Sequence, residues 1–573
     1  MYKEFESFIK LKHPNFVFRK GQKEVIEDII RSYEKNPKGV YLLDAPTGSG
    51  KSIIAMLFAQ FMASKEKTGY ILTSDLSLHD QYARDFDSLK LNHWGLIKGV
   101  DNYECSLNLQ KFSIGECKNK GLSYQESAKL NCYKNCGYFQ ARERAIESNV
   151  ALLTYSYALI QRNYVEDKMQ NGSPFEQRDF VVCDEAHKVV DIVQGHFSPR
   201  VSRNTHEVLV KLQANLNGIG FTDALINIEK LKELVEAILL EENKDVLLSY
   251  LKRVMAIIGK ALSYRDSVSK LAKELFGAHQ VPKEWQNTFK GFDHCKDVHC
   301  KIEDYIEIIE KSGLDYMIKN PTSPDEVVFN CLDEHYLMKK HFFSKFGFVL
   351  MMTATMGSKK DFEKGLGIKN AFYHKMESTF DYSKSPIHYY PSRRMSMKDM
   401  PNNFDWLVKK VSDILEFHPN ESGVIHSGSY ELANRIYQRL DRYKRHRVML
   451  YKGTEEKTTA LNSFVEKPGH LIMGPSLLEG LNLDGEKSRL QIFVKVPYPN
   501  IGDKYVAAKM KHSREWYTWK TCTSILQGIG RSVRNEEDWA VTYFLDGCLT
   551  DLLMGSSDNF PEEFIGRIKI LEN

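Results

Sequence analysis

The chain has little of several things that would have assigned it quickly. It contains no apolar run near the roughly 18 residues needed to cross a bilayer, and its start, MYKEFESFIKLKHPNF, has no signal-peptide core. A soluble, intracellular protein is expected. Charge of one sign is also lacking: Lys plus Arg number 79 against 75 for Asp plus Glu, a net charge of +4. Such balance does not announce a nucleic-acid partner, so any basic surface must be local. Ten Cys in 573 residues are too few for a disulfide scaffold, and in a reducing compartment their clustering matters more than their number. No repeat of 20 to 50 residues and no low-complexity tract divides the chain.

What is present is ordinary globular material, 42% hydrophobic and 27% charged, enough for several domains. From Gly39 to about Tyr82 the pattern reads strand (VYLLDA), Gly-rich turn, helix (SIIAMLFAQFMA), strand (YILTS), helix, an alternation that predicts a parallel sheet. Between about Val100 and Ala141 the alternation stops in a polar segment with four Cys, and VALLTYSYALI and DFVVCDEAH resume it. Helical periodicity fills HEVLVKLQANL, ALINIEKLKELVEAILLEE and DVLLSYLKRVMAIIGKAL, and the strand-like GFVLMMTAT then returns to the first sheet. Beyond about Tyr382 the strands SGVIHSG, HLIMGPS, RLQIFVKVP and WAVTYFLD alternate with helices again. The expected fold is therefore α/β, with two α/β domains and two inserts in the first. The boundaries are 1–99, 143–195 and 338–378 for the first α/β domain, 100–142 for the Cys-bearing insert, 196–337 for the helical insert and 379–573 for the second α/β domain.

Ala45-Pro-Thr47-Gly48-Ser49-Gly50-Lys51-Ser52 follows a strand and opens a helix, the setting of a phosphate loop. Backbone N–H groups close on phosphates there, Lys51 supplies a point charge, and the Ser52 hydroxyl can hold magnesium. Asp184-Glu185-Ala186-His187 follows the strand DFVVC, where Asp184 can hold magnesium and Glu185 can orient or deprotonate the attacking water. In the second α/β domain, Gln527-Gly-Ile-Gly-Arg531-Ser-Val-Arg534 sets two Arg on one helix face, suited to neutralising charge on a γ-phosphoryl group from across a cleft. A nucleotide between two domains suggests a motor.

These segments, in this order, resemble the XPD/DinG family of superfamily 2 iron-sulfur DNA helicases over almost the whole chain. Arg19-Lys-Gly-Gln22 resembles the family's adenine-reading element, LTSDLSLHDQ its strand-binding element Ia, and Thr353-Ala-Thr355 its motif III. HSGSY resembles motif IV, Ser476-Leu-Leu-Glu479-Gly480 motif V, and WYTWKTCTSILQGIGRSVRNEEDWA motif VI with its preceding helix, including Asp538. Asn482 departs from the family, which usually has Asp there. Cys105, Cys117, Cys132 and Cys136 have the spacing C-x11-C-x14-C-x3-C, which suits zinc or an iron-sulfur cluster. The following Cys136-Gly-Tyr-Phe-Gln-Ala-Arg142 resembles the family's stretch after its last cluster ligand, and favours a [4Fe-4S] cluster as a staple for a segment with little core of its own.

The resemblance implies that the two α/β domains are RecA-like motor domains, and it implies ATP and Mg2+, a grip on single-stranded and forked duplex DNA, 5′ to 3′ movement, a monomer, and a place that is cytoplasmic and nucleoid-associated or, for a viral chain, in the host cytoplasm. His187 and Gln527 join the catalytic set, Glu479 and Gly480 the nucleotide-binding set. Arg19 and Gln22 leave no room for an exonuclease domain before the motor. Two other readings compete: a translocase that does not separate strands, and a non-catalytic redox-responsive DNA-binding protein. Three further features are read blandly. His294-Cys295-Lys-Asp-Val-His299-Cys300 matches no ligand spacing, and the basic run Arg439 to Arg447 is taken as a solvated helix end. Trp516, Tyr517 and Trp519 are expected to pack on their own sheet rather than stack on bases.

Overall fold

The structure is a computed structural model and describes all residues except 90, 92, 116–126, 166–174, 225, 277–280, 379–380, 476, 478–482, 484, 534–537 and 573. Ten strands fall in the first two thirds of the chain: β1 (Val40–Asp44), β2 (Gly69–Thr73), β3 (Trp94–Leu96), β4 (Val150–Thr154), β5 (Phe180–Cys183), β6 (Arg200–Ser202), β7 (Met317–Ser323), β8 (Glu326–Cys331), β9 (Phe348–Thr353) and β10 (Phe372–Lys375). Seven of these make one parallel sheet in the order β10-β1-β9-β5-β2-β4-β3. Its central strands read as unbroken apolar runs because helices cover both faces. The register pairs Asp44 with Thr353 at the carboxyl ends of β1 and β9.

The second sheet is also parallel. Its strands are β11 (Ile387–Tyr389), β12 (Gly423–His426), β13 (Val448–Leu450), β14 (Leu471–Gly474), β15 (Leu490–Phe493), β16 (Val541–Phe544) and β17 (Ile568–Ile570), ordered β13-β14-β12-β15-β16-β11-β17. Two RecA-like α/β domains follow, as the alternating pattern predicts.

Between β5 and β9 the chain builds a helical layer. Its longest member, Lys283–Ser312, is 30 residues, about 45 Å at 1.5 Å per residue. That helix packs on Arg203–Gly218 and Lys244–Leu262, and buries Trp285, Phe289, Phe292, Cys295 and Ile302. The periodicity concealed a small antiparallel sheet, β6-β8-β7, at the base of this layer. A Pro321 and the polar Thr322 and Ser323 at the end of β7 mask the strand, and a register shift between Pro321 and Ser323 absorbs the missing N–H.

The Cys-bearing segment has more core than its polarity suggests. Phe112 stacks on Tyr138 at 4.3 Å, Tyr133 lies 4.6 Å from Phe139, and all four rings join the core under the first sheet.

Arg178 fastens the end of the helix that leaves this segment, Gly137–Glu147, to the sheet. Its guanidinium donates to the carbonyls of Gly69 (3.0 Å), Asn149 (3.2 Å), Ala145 (2.9 Å) and Ile146 (3.0 Å) and lies over the ring of Tyr70.

Candidate active site

The loop after β1 lies at the carboxyl edge of the first sheet. Ala45 N–H donates to Thr353 O at 3.0 Å and ties the loop's entry to β9. Gly48 (φ +80°) and Gly50 (φ +79°) take the left-handed backbone that a side chain would strain, so the chain can turn sharply into the helix Lys51–Ser64. Its first N–H groups face the space above the loop, with the helix dipole behind them. Lys51 Nζ donates to Ala45 O at 3.2 Å.

Arg19 and Gln22 close over the outside of this loop. Gln22 Nε2 donates to Ser49 O at 2.9 Å, its Oε1 accepts from Arg19 N–H at 2.9 Å, and the Arg19 guanidinium donates to Gly48 O. A Cβ at Gly50 would fall 2.4 Å from Gln22 Nε2, so glycine is needed there for the contact as well as the turn.

Asp184 stands at the end of β5 with every oxygen engaged. Oδ1 accepts from Glu185 N–H at 2.9 Å, Oδ2 from the Tyr82 hydroxyl at 2.8 Å, and its carbonyl from the Tyr155 hydroxyl at 2.8 Å. Burial, and then the neighbouring Glu185 carboxylate, push its carboxyl up to about 6. Glu185 has φ +51°, a strained conformation for a non-glycine residue, which turns its side chain toward His187. Burial pushes its carboxyl up, but His187 and Lys51 outweigh that and hold it below the usual carboxylate range.

His187 carries the site to the second domain. Its Nδ1 lies 2.9 Å from Thr353 Oγ1 and 3.3 Å from Glu185 Oε2, while Nε2 meets the side-chain amide of Gln527. Gln527 Nε2 also lies 3.5 Å from Thr355 Oγ1. Arg531 is close enough to draw the Glu185 carboxyl down, and a Cβ on Gly530 would lie 3.2 Å from Thr47 Oγ1. The first sheet's loop and the second domain's helix Arg514–Ile529 therefore face each other across one cleft.

Of the residues singled out from sequence, this geometry gathers Arg19, Gln22, Thr47, Gly48, Ser49, Gly50, Lys51, Ser52, Asp184, Glu185, His187, Gln527 and Arg531. Arg534, Glu479, Gly480 and Cys117 lie outside the described residues. Cys132 and Cys136 bracket one turn, Tyr133–Asn135, and Cys136 caps the helix Gly137–Glu147. Cys105 is buried and forms no disulfide, and a Cβ on Gly115 would crowd its Sγ at 3.2 Å, so glycine leaves space beside that thiol. The thiols of Cys105, Cys132 and Cys136 fit a cluster's donor set by their chemistry, although among the described residues no three metal-binding side chains converge.

Tyr82 and Tyr155 touch the site and were not singled out. At the 79, 82 and 86 spacing of a helix, His79, Tyr82 and Phe86 read as one buried stripe, and nothing in that pattern marks the phenol as polar contact.

Two bland readings need correction. Trp519 turns to the first motor domain instead of its own sheet, and Trp516 covers a lysine at the helical insert. Trp519 Nε1 donates to Met356 O at 2.8 Å and the ring sits beside Phe362; Trp516 lies 4.1 Å from Lys509 Nζ, which pairs with Glu334. The basic run is only partly solvated. Arg447 donates to the carbonyls of Leu415, His418, Glu421 and Gly469, and Lys444 pairs with Glu416 and Asp441.

Fold and site together define a two-domain motor of the phosphate-loop class, built to take a nucleotide between its sheets. Residues 411–557 match the helicase C-terminal domain family, and residues 15–222 match the type III restriction enzyme, res subunit family. A probable ATP-dependent helicase of Methanocaldococcus jannaschii is 21% identical over 96% of this chain and 94% of its own length. The ATP-dependent DNA helicase YoaA of Escherichia coli is 22% identical over 94% of this chain and 92% of its own. The solved structure of S. tokodaii Xpd4 superposes with a TM-score of 0.60 at 15% identity, covering 97% of this chain and all of that one. The chain carries domains of these two families, is similar over nearly its whole length to proteins named as ATP-dependent helicases, and is an enzyme. No helix among the described residues is long and apolar enough to cross a membrane.

Proposed function

We propose that this chain is an ATP-dependent DNA helicase that moves 5′ to 3′ along single-stranded DNA and separates the duplex at a fork, working as a monomer in the cytoplasm. The observation that carries the reading is the His187 bridge, in which one ring joins Glu185 and Thr353 of the first domain to Gln527 of the second. A change at the γ-phosphate end of the site is thereby felt by the facing domain. The six-part division of the chain set out from the sequence is part of the same proposal, with residues 100–142 and 196–337 enclosing the strand.

Lys51 would bind the β and γ phosphates, and the N–H groups of Thr47 to Ser52 would cradle them. Gln22 and Arg19 would read the base. Glu185 would orient the attacking water, its ionised form favoured by His187 and Lys51. Arg531 and Arg534 would offset charge on the transferred group, while Glu479 and Gly480 would complete the second domain's side of the cleft. Magnesium, held by Ser52 and Asp184, supplies positive charge to the phosphate oxygens. Thiolates of Cys105, Cys117, Cys132 and Cys136 would hold a [4Fe-4S] cluster, which cross-links their segment into a rigid body.

Unwinding of matched 5′-tailed and 3′-tailed duplexes by anaerobically purified protein tests this reading, with iron and zinc quantified in the same preparation. Displaced strand only from the 5′ tail, with iron near four per chain, is expected. Activity confined to the 3′ tail refutes the polarity, and zinc without iron refutes the cluster.

A further inference from the structure

The proposed magnesium site has an internal brace. Tyr82 is fully buried on the helix Leu76–Ser88. Its hydroxyl donates to Asp184 Oδ2 at 2.8 Å. One phenol thus fixes the carboxylate that would hold the metal from the end of β5. The remaining carboxylate oxygen of Asp184 is fixed by Glu185 N–H, so the orientation of the group depends on two donors, of which, among the described residues, Tyr82 is the side chain.

The helix that carries Tyr82 is itself anchored. The Asp75 side chain caps it by accepting from Leu78 N–H at 2.9 Å, the His79 ring reaches Leu152 O at 3.3 Å, and Phe86 stacks on Trp94 at 4.8 Å. Its first turn contains part of LTSDLSLHDQ, the segment whose pattern suggests contact with a nucleic-acid strand. A phenol is rigid beyond two torsions, so a shift of this helix along its axis moves the hydroxyl with it.

We propose that Tyr82 is a positioning residue that sets the Asp184 carboxylate for a divalent cation and links that site to the helix Leu76–Ser88. The proposal rests on the reading that Ser52 and Asp184 hold magnesium. Groups that orient metal ligands characteristically change metal affinity by 10-fold to 100-fold when removed, because the ligand then samples unproductive orientations.

The test is the binding of a fluorescent ADP analogue to the full chain, titrated with and without Mg2+. In Tyr82→Phe the apparent Mg2+ affinity is expected to fall about tenfold or more, while ADP affinity without Mg2+ stays within about twofold of wild type. Tyr41→Phe removes another buried phenol-carboxylate bond, the 2.7 Å contact to Asp28, and should leave Mg2+ affinity unchanged. Equal weakening in both variants, or no Mg2+ effect in Tyr82→Phe, overturns the proposal. A wild-type chain whose ADP binding ignores Mg2+ overturns the magnesium reading itself, and the proposal with it. A second measurement needs no variant: hydrogen exchange in residues 76–88 should slow with Mg-ADP beyond its rate with ADP alone. Identical exchange in the two states is a negative result for the link.

Discussion

Lys509 offers a quantitative test of how the second motor domain docks on the end of the helical insert. It is 4% exposed, on the helix Lys504–His512 of the second domain. Its ammonium pairs with Glu334 on the helix Glu334–His341, and Glu334 also accepts from the Tyr505 hydroxyl at 3.1 Å. Trp516 covers the ammonium from one face. Replacing Lys509 with Met keeps the stem's volume but leaves a carboxylate in a dry interface with one hydroxyl for company. Removal of one partner of such a buried pair costs about 3 to 5 kcal/mol, whereas replacing both by apolar groups is often neutral. Lys509→Met should therefore lower the first urea unfolding transition by about 3 to 5 kcal/mol, and adding Glu334→Leu should recover most of it. The cycle is read from urea midpoints and slopes of wild type, both single variants and the double. If the double variant is less stable than Lys509→Met, the pair is not the buried interdomain contact described, and the docking of that helix is wrong.

Arg178→Met should cost about 4 kcal/mol or more in urea unfolding, since four carbonyls lose a donor in a buried place; Lys at 178, with three N–H groups on one nitrogen, should recover only part. A loss under about 1 kcal/mol would mean that water replaces the guanidinium. Acid should destabilise the chain through two histidines. Burial chiefly, with Lys340 and Lys345 for His341 and Arg531 for His426, pushes both rings down to about 3 from 6.5. The unfolded chain then binds more protons between those values, so stability is full above about pH 6.5 and falls as pH drops toward 3. At pH 4.5 the loss is about 2.7 kcal/mol per ring, from 1.36 kcal/mol per pH unit. Urea unfolding at stepped pH should show it, and stability independent of pH between 6.5 and 4.5 contradicts the burial of these rings.

Much of the motor was legible because its signals are local. The phosphate loop announces itself by glycines between a strand and a helix, and Asp184 and Glu185 by their place after the apolar FVVC. Both motifs are set by backbone geometry that a few residues dictate. What stayed hidden depends on distant partners. The β7 strand is disguised by Pro321 and polar residues, and only pairing with β8 reveals it. Trp516 and Trp519 have helical spacing that signals burial, yet spacing cannot say which domain buries them. Arg447 lies in a run that looks solvated, while its guanidinium finds four carbonyls contributed by segments 22 to 32 residues away. Tyr82 is the clearest instance, since a stripe with His79 and Phe86 carries no sign that one hydroxyl reaches Asp184.

The central claim is that the cleft between the two sheets hydrolyses ATP in response to DNA. ATP turnover with and without single-stranded DNA, in wild type, Lys51→Ala and Glu185→Gln, tests it most directly. Wild-type turnover should rise at least about tenfold on adding DNA, Lys51→Ala should lose both binding and turnover, and Glu185→Gln should bind ATP with turnover reduced by about a hundredfold. Wild-type levels of DNA-stimulated turnover in either variant would contradict the account.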